Sequence, residues 1–318
     1  MEASVYDDPA FLRRLADAVR SVRVGPAAEP STMTGPLVGP PSPKLARALT
    51  ELDEDESWLV EPGCLDAAAN LWSPGVRLGV RPSSWFHRTE CFGPVLGLMR
   101  ADDLDHAIEL QNAGEFGLTG GIQSLDESEV AHWLERVEVG NAYVNRHITG
   151  AVVQRQPFGG WKRSSVGCGP KAGGPDYVEA FGTWAGGPRT ADTEDDFRRV
   201  WREYFTAEHD PSELVCERNV LRYRPLPAVD LVVGEDAPDW QVAIARMAAA
   251  VAGVPLRSGA ERVRVLGAVD DERLAAWFAA DVEVDRTPVV ADARVELRRW
   301  VREQSISETR HRHGRLLD

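Results

Sequence analysis

A short run of residues, Glu90-Cys91-Phe92-Gly93, places a carboxylate and an aromatic ring two positions apart. Side chains at positions i and i+2 of an extended segment point to the same side, so Glu90 and Phe92 can face one ligand together. A carboxylate that accepts hydrogen bonds from both hydroxyls of a ribose, beside a ring that packs on the adjoining base, is one physical solution to nicotinamide binding. Taken alone, Glu90 and Phe92 are not sufficient to predict a nicotinamide site, and their interpretation depends on the other motifs.

A second candidate segment runs from Tyr143 to Ser164 and contains the sequences ITGA and QPFGG. The glycine at position 150, directly after Thr149, exposes backbone N–H groups. Such groups can bind a small carboxylate. The segment therefore predicts an anion-binding loop close to an aromatic side chain, Phe158.

The cysteines do not provide an evident nucleophile. Four are present, they are widely spaced and no two form a C-x-x-C pair: Cys64, Cys91, Cys168 and Cys216. This usage predicts a reducing, cytoplasmic location, without a disulfide framework or a zinc knuckle. A reactive thiol needs a cation or a helix N-terminus to lower its pKa, and Cys91 instead adjoins a carboxylate, which raises the pKa of a thiol. We expect no catalytic residue among the four.

Three further patterns are better explained by structure than by function. The glycines at 167 and 169 depart from G-x-G-x-x-G, and Pro170 interrupts any helix that should follow them. The pair His311 and His313 lacks a third ligand at metal spacing. The acidic residues at 51–56 are typical of a solvated loop. We therefore expect no metal site.

The elements that carry these motifs alternate between helix and strand. Asp8 as N-cap and Pro9 at the first helical position predict a helix that ends before Gly25, and Ser42-Pro43 predicts the start of a second. Short apolar runs then predict strands at 58–60, 76–80, 95–99, 121–122 and 142–144, with helices at 104–110 and 130–137. Five more apolar segments continue the alternation, at 230–233, 243–251, 263–266, 274–278 and 295–301. We predict an α/β fold with a parallel sheet and flanking helices, followed by a smaller α/β domain.

Length and charge limit the possible functions. The chain has 318 residues, with 36 Lys and Arg against 50 Asp and Glu, which gives a net charge of −14. An acidic surface repels nucleic acids and anionic lipids, and no apolar run reaches the roughly 18 residues of a membrane helix. We expect neither nucleic acid nor membrane as a partner. A polar stretch rich in Gly and Pro predicts a division into domains of residues 1–185 and 186–318.

Taken together, the motifs resemble the aldehyde dehydrogenase superfamily in order and spacing, up to about residue 184. The resemblance rests on four groups of residues: E-x-FGPVL at 90–96, Asn112 with Gly117-Leu118, Val144-Asn145, and PFGG at 157–160. Within the superfamily, residues 145–151 and 155–164 look like the L-glutamate γ-semialdehyde (1-pyrroline-5-carboxylate) dehydrogenase module of proline utilization A. Residues 221–226 and 302–312 are similar to the tail domain of the longer proteins of that family.

The resemblance implies an NAD-dependent oxidation of L-glutamate γ-semialdehyde to L-glutamate in proline catabolism. It implies that Glu90 accepts hydrogen bonds from the nicotinamide ribose and that Phe92 lines the nicotinamide pocket. Gly150 and Ala151 would anchor the α-carboxylate of the substrate, and Phe158 would pack against its aliphatic part. The implied partners are a small aldehyde substrate and either a second copy of the chain or a complementing N-terminal half.

The family chemistry also requires a cysteine thiolate and a base that activates water. The resemblance places both upstream of the segment that residues 2–9 match, so we expect this chain to begin after its nucleophile and to be inactive alone. The missing part would be either a separate polypeptide or the upstream portion of a longer reading frame. Two alternatives remain: a non-catalytic assembly or lid module, and an inactive fragment whose exposed strand edges and apolar surface make it insoluble.

Overall fold

The computed structural model describes residues 1–149, 155–167, 169–184, 193–312 and 315–316. The chain divides into two compact units, Met1–Glu115 and Phe116–Asp318. Both contain helices and strands, which confirms the predicted α/β class. No helix in these described ranges has the length and apolar character needed to cross a membrane.

The first unit contains five helices and five strands among its described residues. They are α1 (Ala3–Tyr6), α2 (Pro9–Arg20), α3 (Pro43–Thr50), β1 (Ser57–Val60), β2 (Cys64–Asp66), β3 (Leu71–Trp72), β4 (Gly75–Leu78), α4 (Trp85–Arg88), β5 (Val95–Gly97) and α5 (Leu104–Asn112). The two predicted helix starts are confirmed. The Asp8 carboxylate accepts a hydrogen bond from the N–H of Ala10 at 2.8 Å, and Ser42 caps α3 in the same way.

The sheet of this unit has the order β1-β4-β5. Strands β4 and β5 are parallel, while β1 is an antiparallel edge strand. Helix α3 buries Leu45, Ala48 and Leu49 in a small core that also contains Cys91. The side chain of Arg77, 1% exposed, forms an ion pair with Glu56 at 2.8 Å.

Among its described residues, the second unit contains four short strands before residue 163 and seven more strands after residue 216. Its elements are β6 (Phe116–Gly117), β7 (Thr119–Ile122), α6 (Glu127–Arg136), β8 (Asn141–Val144), β9 (Trp161–Lys162), a 3-10 helix (Tyr177–Phe181), α7 (Glu194–Val200), a π-helical turn (Trp201–Phe205), β10 (Glu217–Pro225), β11 (Asp230–Val233), α8 (Asp239–Ala252), β12 (Arg262–Leu266), α9 (Asp271–Ala279), β13 (Glu283–Asp285), α10 (Ala293–Arg298), β14 (Val301–Thr309), β15 (His311–Arg312) and β16 (Arg315–Leu316).

The main sheet of the second unit joins strands that are far apart in sequence. Its order is β10-β14-β8-β7, in which β7, β8 and β14 are parallel and β10 is an antiparallel edge strand. Ile306 of β14 lies opposite Ala142 of β8, and both side chains are fully buried. The late strand β14 is therefore an inner strand of the sheet that begins at residue 119.

The second unit also contains a smaller parallel sheet with the order β11-β12-β13, and the two-stranded sheets β6-β9 and β15-β16. Helices α8 and α10 pack in a core with the aromatic side chains of Phe197, Phe205 and Trp300. The predicted alternation of strand and helix is confirmed up to residue 279. Its fifth segment, 295–301, is instead divided between the end of α10 and the start of β14, because Asp292 caps a helix through the N–H of Val295.

The predicted division between residues 185 and 186 lies outside the described residues and stays a prediction. The two compact units meet at a different place, after Glu115. Strands β8 and β14, which the prediction assigns to different domains, share one sheet. Parallel neighbours in a sheet need a crossover connection, and here the connection spans the whole smaller sheet.

Candidate functional site

In the first unit, the run Glu90-Cys91-Phe92-Gly93 connects α4 to β5. Cys91 is buried in the core under α3, whereas Glu90 and Phe92 are exposed on either side of it. Gly93 approaches Leu45 so closely that a Cβ atom at position 93 would overlap the leucine side chain. Burial of the thiol and this close approach fix the run to the core and direct its carboxylate and its ring to the surface.

The side chain of Glu90 is available to a ligand. Among the described residues it makes no hydrogen bond or ion pair, so both carboxylate oxygens can accept hydrogen bonds. The Phe92 ring is 77% exposed, and its centroid lies 5.9 Å from the Nζ atom of Lys44. Phe92 has a φ of +53°, which differs from the extended backbone expected of the run. This left-handed conformation is rarely occupied by an aromatic residue.

The described cysteines offer no activated thiol. Cys64, Cys91 and Cys216 are free, and Cys168 lies outside the described residues. Burial raises the pKa of the Cys91 thiol, and the nearby Glu90 carboxylate acts in the same direction, against the cations Lys44 and Arg77. A thiol with a raised pKa is a poor nucleophile at neutral pH. Cys91 is therefore a packing residue.

In the second unit, the predicted anchor residues Gly150 and Ala151 lie outside the described residues. Their flanks are held firmly. On the near side, Arg146 donates a hydrogen bond to the hydroxyl of Ser307 in β14 at 2.6 Å. On the far side, Arg155 forms an ion pair with Glu217 of β10 at 3.1 Å. The inner strand β14 and the edge strand β10 thus hold the residues that flank the predicted anchor.

Phe158 lies in the segment that follows the anchor residues. Its backbone N–H donates to the carbonyl oxygen of Ala172 at 2.9 Å, and the two residues form an isolated antiparallel bridge. The Phe158 side chain is half-buried. The preceding Pro157 accepts a hydrogen bond from the hydroxyl of Ser305 in β14. The backbone of Phe158 is therefore fixed on both sides, while part of its ring remains accessible.

Lys171 forms hydrogen bonds that connect the segment around Phe158 to the residues at the start of β8. Its side chain is buried, and its ammonium group donates to the carbonyl oxygens of Gly140 (2.8 Å) and Gly159 and to the side-chain oxygen of Asn141 (3.0 Å). All three protons therefore have acceptors. Burial lowers the pKa of Lys171 to about 7, against the opposite effect of the nearby Glu303 carboxylate. Lys171 ties the segment of Phe158 to the start of β8.

Glu303 binds the same segment from β14. Its carboxylate accepts the backbone N–H of Lys171 at 2.7 Å, and its carbonyl oxygen accepts the indole N–H of Trp161 at 2.7 Å. The second carboxylate oxygen is buried without a hydrogen-bond partner among the described residues. Burial raises the pKa of Glu303 to about 7. Sequence reasoning missed Glu303 and Lys171, although Lys171 is one of only three lysines in an arginine-rich chain.

The raised pKa of Glu303 predicts a pH-dependent contribution to stability. The ordinary pKa of a glutamate carboxyl group is 4.5, and that of Glu303 in the folded chain is about 7. At a pH between 4.5 and 7, the group therefore takes up a proton when the chain folds. Its stabilising contribution is full below pH 4.5 and is lost as the pH rises through 7. Relative to the Glu303→Gln variant, the wild-type free energy of unfolding should therefore fall by about 2 kcal/mol from pH 5 to pH 7.

Urea denaturation of both proteins at several pH values measures this difference. The Glu308→Gln variant is a suitable control because Glu308 lies in the same strand, is half-buried and has an arginine partner. A difference between wild type and Glu303→Gln that stays constant from pH 5 to pH 7 would contradict the prediction.

The structure places the predicted site residues in two units. Glu90 and Phe92 belong to the first unit, and Phe158 belongs to the second, in which Lys171 and Glu303 support it. Within the described ranges, no group of three or more His, Cys, Asp and Glu side chains is arranged to hold a metal ion. The chain therefore presents a carboxylate and an aromatic ring on one unit, and a fixed aromatic side chain beside the predicted anchor on the other.

Comparisons with known proteins identify a common origin for these features. The aldehyde dehydrogenase family model matches residues 1–184. A 1-pyrroline-5-carboxylate dehydrogenase from Geobacillus sp. (strain WCH70) is 37% identical over 175 residues, which are 55% of this chain and 33% of that protein. The chain thus spans about a third of the length of the curated relatives it matches.

Solved structures extend the similarity. Proline utilization A from Corynebacterium freiburgense is 46% identical, with a TM-score of 0.86, over 97% of this chain and 35% of that protein. Proline utilization A from Bdellovibrio bacteriovorus is 36% identical, with a TM-score of 0.51, over 57% of this chain and 18% of that protein. The family model covers more than half of the residues, from the first helix to the end of the segment that carries Phe158 and Lys171. The chain belongs to the aldehyde dehydrogenase family.

Proposed function

We propose that the chain forms the substrate-anchoring part of an NAD-dependent dehydrogenase that converts L-glutamate γ-semialdehyde to L-glutamate. The observation that carries the proposal is the similarity to proline utilization A from Corynebacterium freiburgense, which covers 97% of the chain and both compact units. The enzyme name of the Geobacillus relative points to the same substrate. The proposed partner is a small aldehyde, together with a complementing N-terminal part or a second copy of the chain.

The first unit would hold part of NAD. Glu90 fits this role because its carboxylate is exposed and has no competing partner among the described residues. Its two oxygens can accept hydrogen bonds from two neighbouring hydroxyls of a ribose. Phe92 fits because most of its ring is free to pack against a flat heterocycle. When bound, NAD supplies the acceptor for the hydride that leaves the aldehyde carbon.

The second unit would select the substrate. Gly150 and Ala151 would bind the α-carboxylate of the semialdehyde through backbone N–H groups. Phe158 would pack on the methylene groups between that carboxylate and the aldehyde. Together the polar and apolar contacts favour a short aldehyde that ends in an amino acid. Binding at a fixed distance from the anchor would also fix the position of the aldehyde carbon.

The reaction consumes the aldehyde, NAD and water, and it yields the carboxylate, NADH and protons. A thiolate that attacks the aldehyde and a base that activates water are needed for it. We assign neither role to a residue of this chain, since Cys91 is buried with a raised pKa and the other cysteines have no activating pattern. Both groups would come from residues outside this sequence, and the role of this chain is to bind and orient.

A reconstitution experiment tests the proposal. This chain is co-expressed with the N-terminal two thirds of a 1-pyrroline-5-carboxylate dehydrogenase relative, and NADH formation from glutamate semialdehyde is followed. We expect turnover that requires both parts and is lost when the nucleophilic cysteine of the added part is replaced by alanine. A stable complex without turnover would instead support a non-catalytic assembly module. An insoluble chain that forms no complex would support the inactive-fragment alternative.

A further inference from the structure

Three arginines share one face of the hydrogen-bonded strands β10 and β14. Arg224 and Arg302 lie directly opposite each other, and Arg222 lies two residues from Arg224 on the same face. Like charges in facing positions of a sheet destabilise it. The cluster is also unusual for a chain with a net charge of −14. Its charges therefore need compensation by carboxylates or by a ligand.

One of the three arginines is compensated. Arg224 forms a bidentate ion pair with Glu135 of α6, with N–O distances of 2.7 and 2.9 Å. A second carboxylate near the cluster belongs to Glu208. Each of its two oxygens accepts a hydrogen bond from Arg218 at 2.5 Å. Glu135 and Glu208 are thus paired with arginines other than Arg222 and Arg302, and a third carboxylate whose charge acts on Arg302, that of Glu138, forms an ion pair with Lys162 at 2.7 Å.

The other two arginines have neutral partners. Arg222 donates to the side-chain oxygen of Gln304 at 2.7 and 2.9 Å and to the backbone carbonyl of Leu134. The guanidinium of Arg302 stacks on the Trp161 ring at 3.8 Å, and its Nε atom is buried without a hydrogen-bond partner. Neither has a carboxylate within ion-pair distance among the described residues. Burial lowers the pKa of both, and that of Arg222, at about 10, still leaves its guanidinium charged at neutral pH.

These side chains line a cavity of about 500 Å³ that is open to solvent. Its lining also includes Glu135, Glu208 and Pro225, together with Phe205 and Tyr223, whose side chains are almost fully buried in the core. A space of this size accommodates a small organic ligand. Two guanidinium groups that have no carboxylate in ion-pair contact within the described ranges favour a ligand with an anionic group.

We propose that Arg222 and Arg302 form a binding site for a small molecule with a phosphate or a carboxylate group. Guanidinium groups hold either group through paired hydrogen bonds, and stacking on Trp161 orients the guanidinium of Arg302 in advance. Arg224, held by Glu135, adds a third positive charge at the rim. The site does not depend on the proposed function, because none of Glu90, Phe92 and Phe158 lines this cavity.

Isothermal titration calorimetry of the full 318-residue chain tests the site. Pyrophosphate is titrated in one series and citrate in another, in a buffer free of other multivalent anions. We expect saturable binding of at least one of the two, and the stronger binder distinguishes a phosphate site from a carboxylate site. Arg302→Met and Arg222→Met should each weaken binding at least tenfold. Arg246→Met serves as control, since Arg246 is an exposed arginine on α8 and the charge change is the same.

Equal weakening by Arg246→Met and Arg302→Met would overturn the proposal, because it would show unspecific attraction to a basic surface. The absence of saturable binding of either anion to the wild-type chain would also overturn it. Arg302→Lys keeps the charge and loses the paired donors, so it should bind more weakly than the wild type and more tightly than Arg302→Met. Circular dichroism spectra that match the wild type confirm that each variant is folded before it is titrated.

Discussion

In the reconstituted enzyme, the Phe158→Ala variant should have a KM for glutamate semialdehyde about 30 times that of the wild type. The benzyl group would cover the methylene groups of the substrate, and the loss of such a contact costs about 2 kcal/mol. The KM for acetaldehyde should change much less, because this aldehyde has no carboxylate to hold it against the ring. Steady-state kinetics with both aldehydes measures the two ratios.

Phe181→Ala is the matched control for this prediction. Phe181 belongs to the same unit, but its ring is 78% exposed at the end of the 3-10 helix. Its removal should leave both KM values unchanged. Equal increases of KM for glutamate semialdehyde and acetaldehyde in Phe158→Ala would remove the substrate assignment, while NAD-dependent turnover of another aldehyde would leave the family assignment intact.

Local signals predicted the elements that surround the site. The N-cap residues Asp8 and Ser42 mark helix starts that are present in the structure. The apolar run at 142–144 is a strand, buried on both faces as an inner parallel strand should be. These predictions succeed because helix caps and apolar periodicity depend on residues that are close together in the sequence.

The supports of Phe158 could not be predicted in this way. The hydrogen bond from the N–H of Lys171 to the Glu303 carboxylate joins residues 132 positions apart. Nothing in the sequence near either residue indicates the pairing, which depends on the insertion of β14 beside β8. A buried lysine and a buried glutamate also contradict the average location of their residue types. Sequence resemblance predicts Phe158 as a substrate contact, and the fold shows which residues hold its backbone in place.

The position of β14 also changes how the C-terminal region is interpreted. The sequence suggested an accessory domain with a possible lid or assembly role. In the structure, the last long strand contributes Ser305 and Ser307, which bind Pro157 and Arg146 on either side of the anchor residues. The C-terminal region is therefore built into the scaffold of the proposed anchor, and its loss would remove an inner strand of the sheet.

The smaller sheet depends on one buried charge cluster, and breaking it should have the largest effect on stability. Arg264 of β12, 1% exposed, forms ion pairs with Asp285 at 2.6 Å and with Glu296 at 2.9 Å. Both carboxylates are also buried, so the Arg264→Met variant would leave two buried acids with only their longer ion-pair contacts, to Arg262 at 3.9 Å and to Arg299 at 3.6 Å. We expect the free energy of unfolding at pH 7 to fall by about 3–5 kcal/mol, as measured by urea denaturation.

The Arg257→Met variant is the control, because Arg257 is exposed and should contribute less than about 0.5 kcal/mol. The loss in Arg264→Met should become smaller at pH 5, since burial already raises the pKa of Glu296 and a protonated Glu296 does not need the cation. Glu296 also accepts the indole N–H of Trp300, the residue directly before β14. If the Arg264→Met variant proved as stable as the wild type, the prediction would be wrong. The ion pairs of Arg264 would then not be needed to hold α10 and the start of β14 against the smaller sheet.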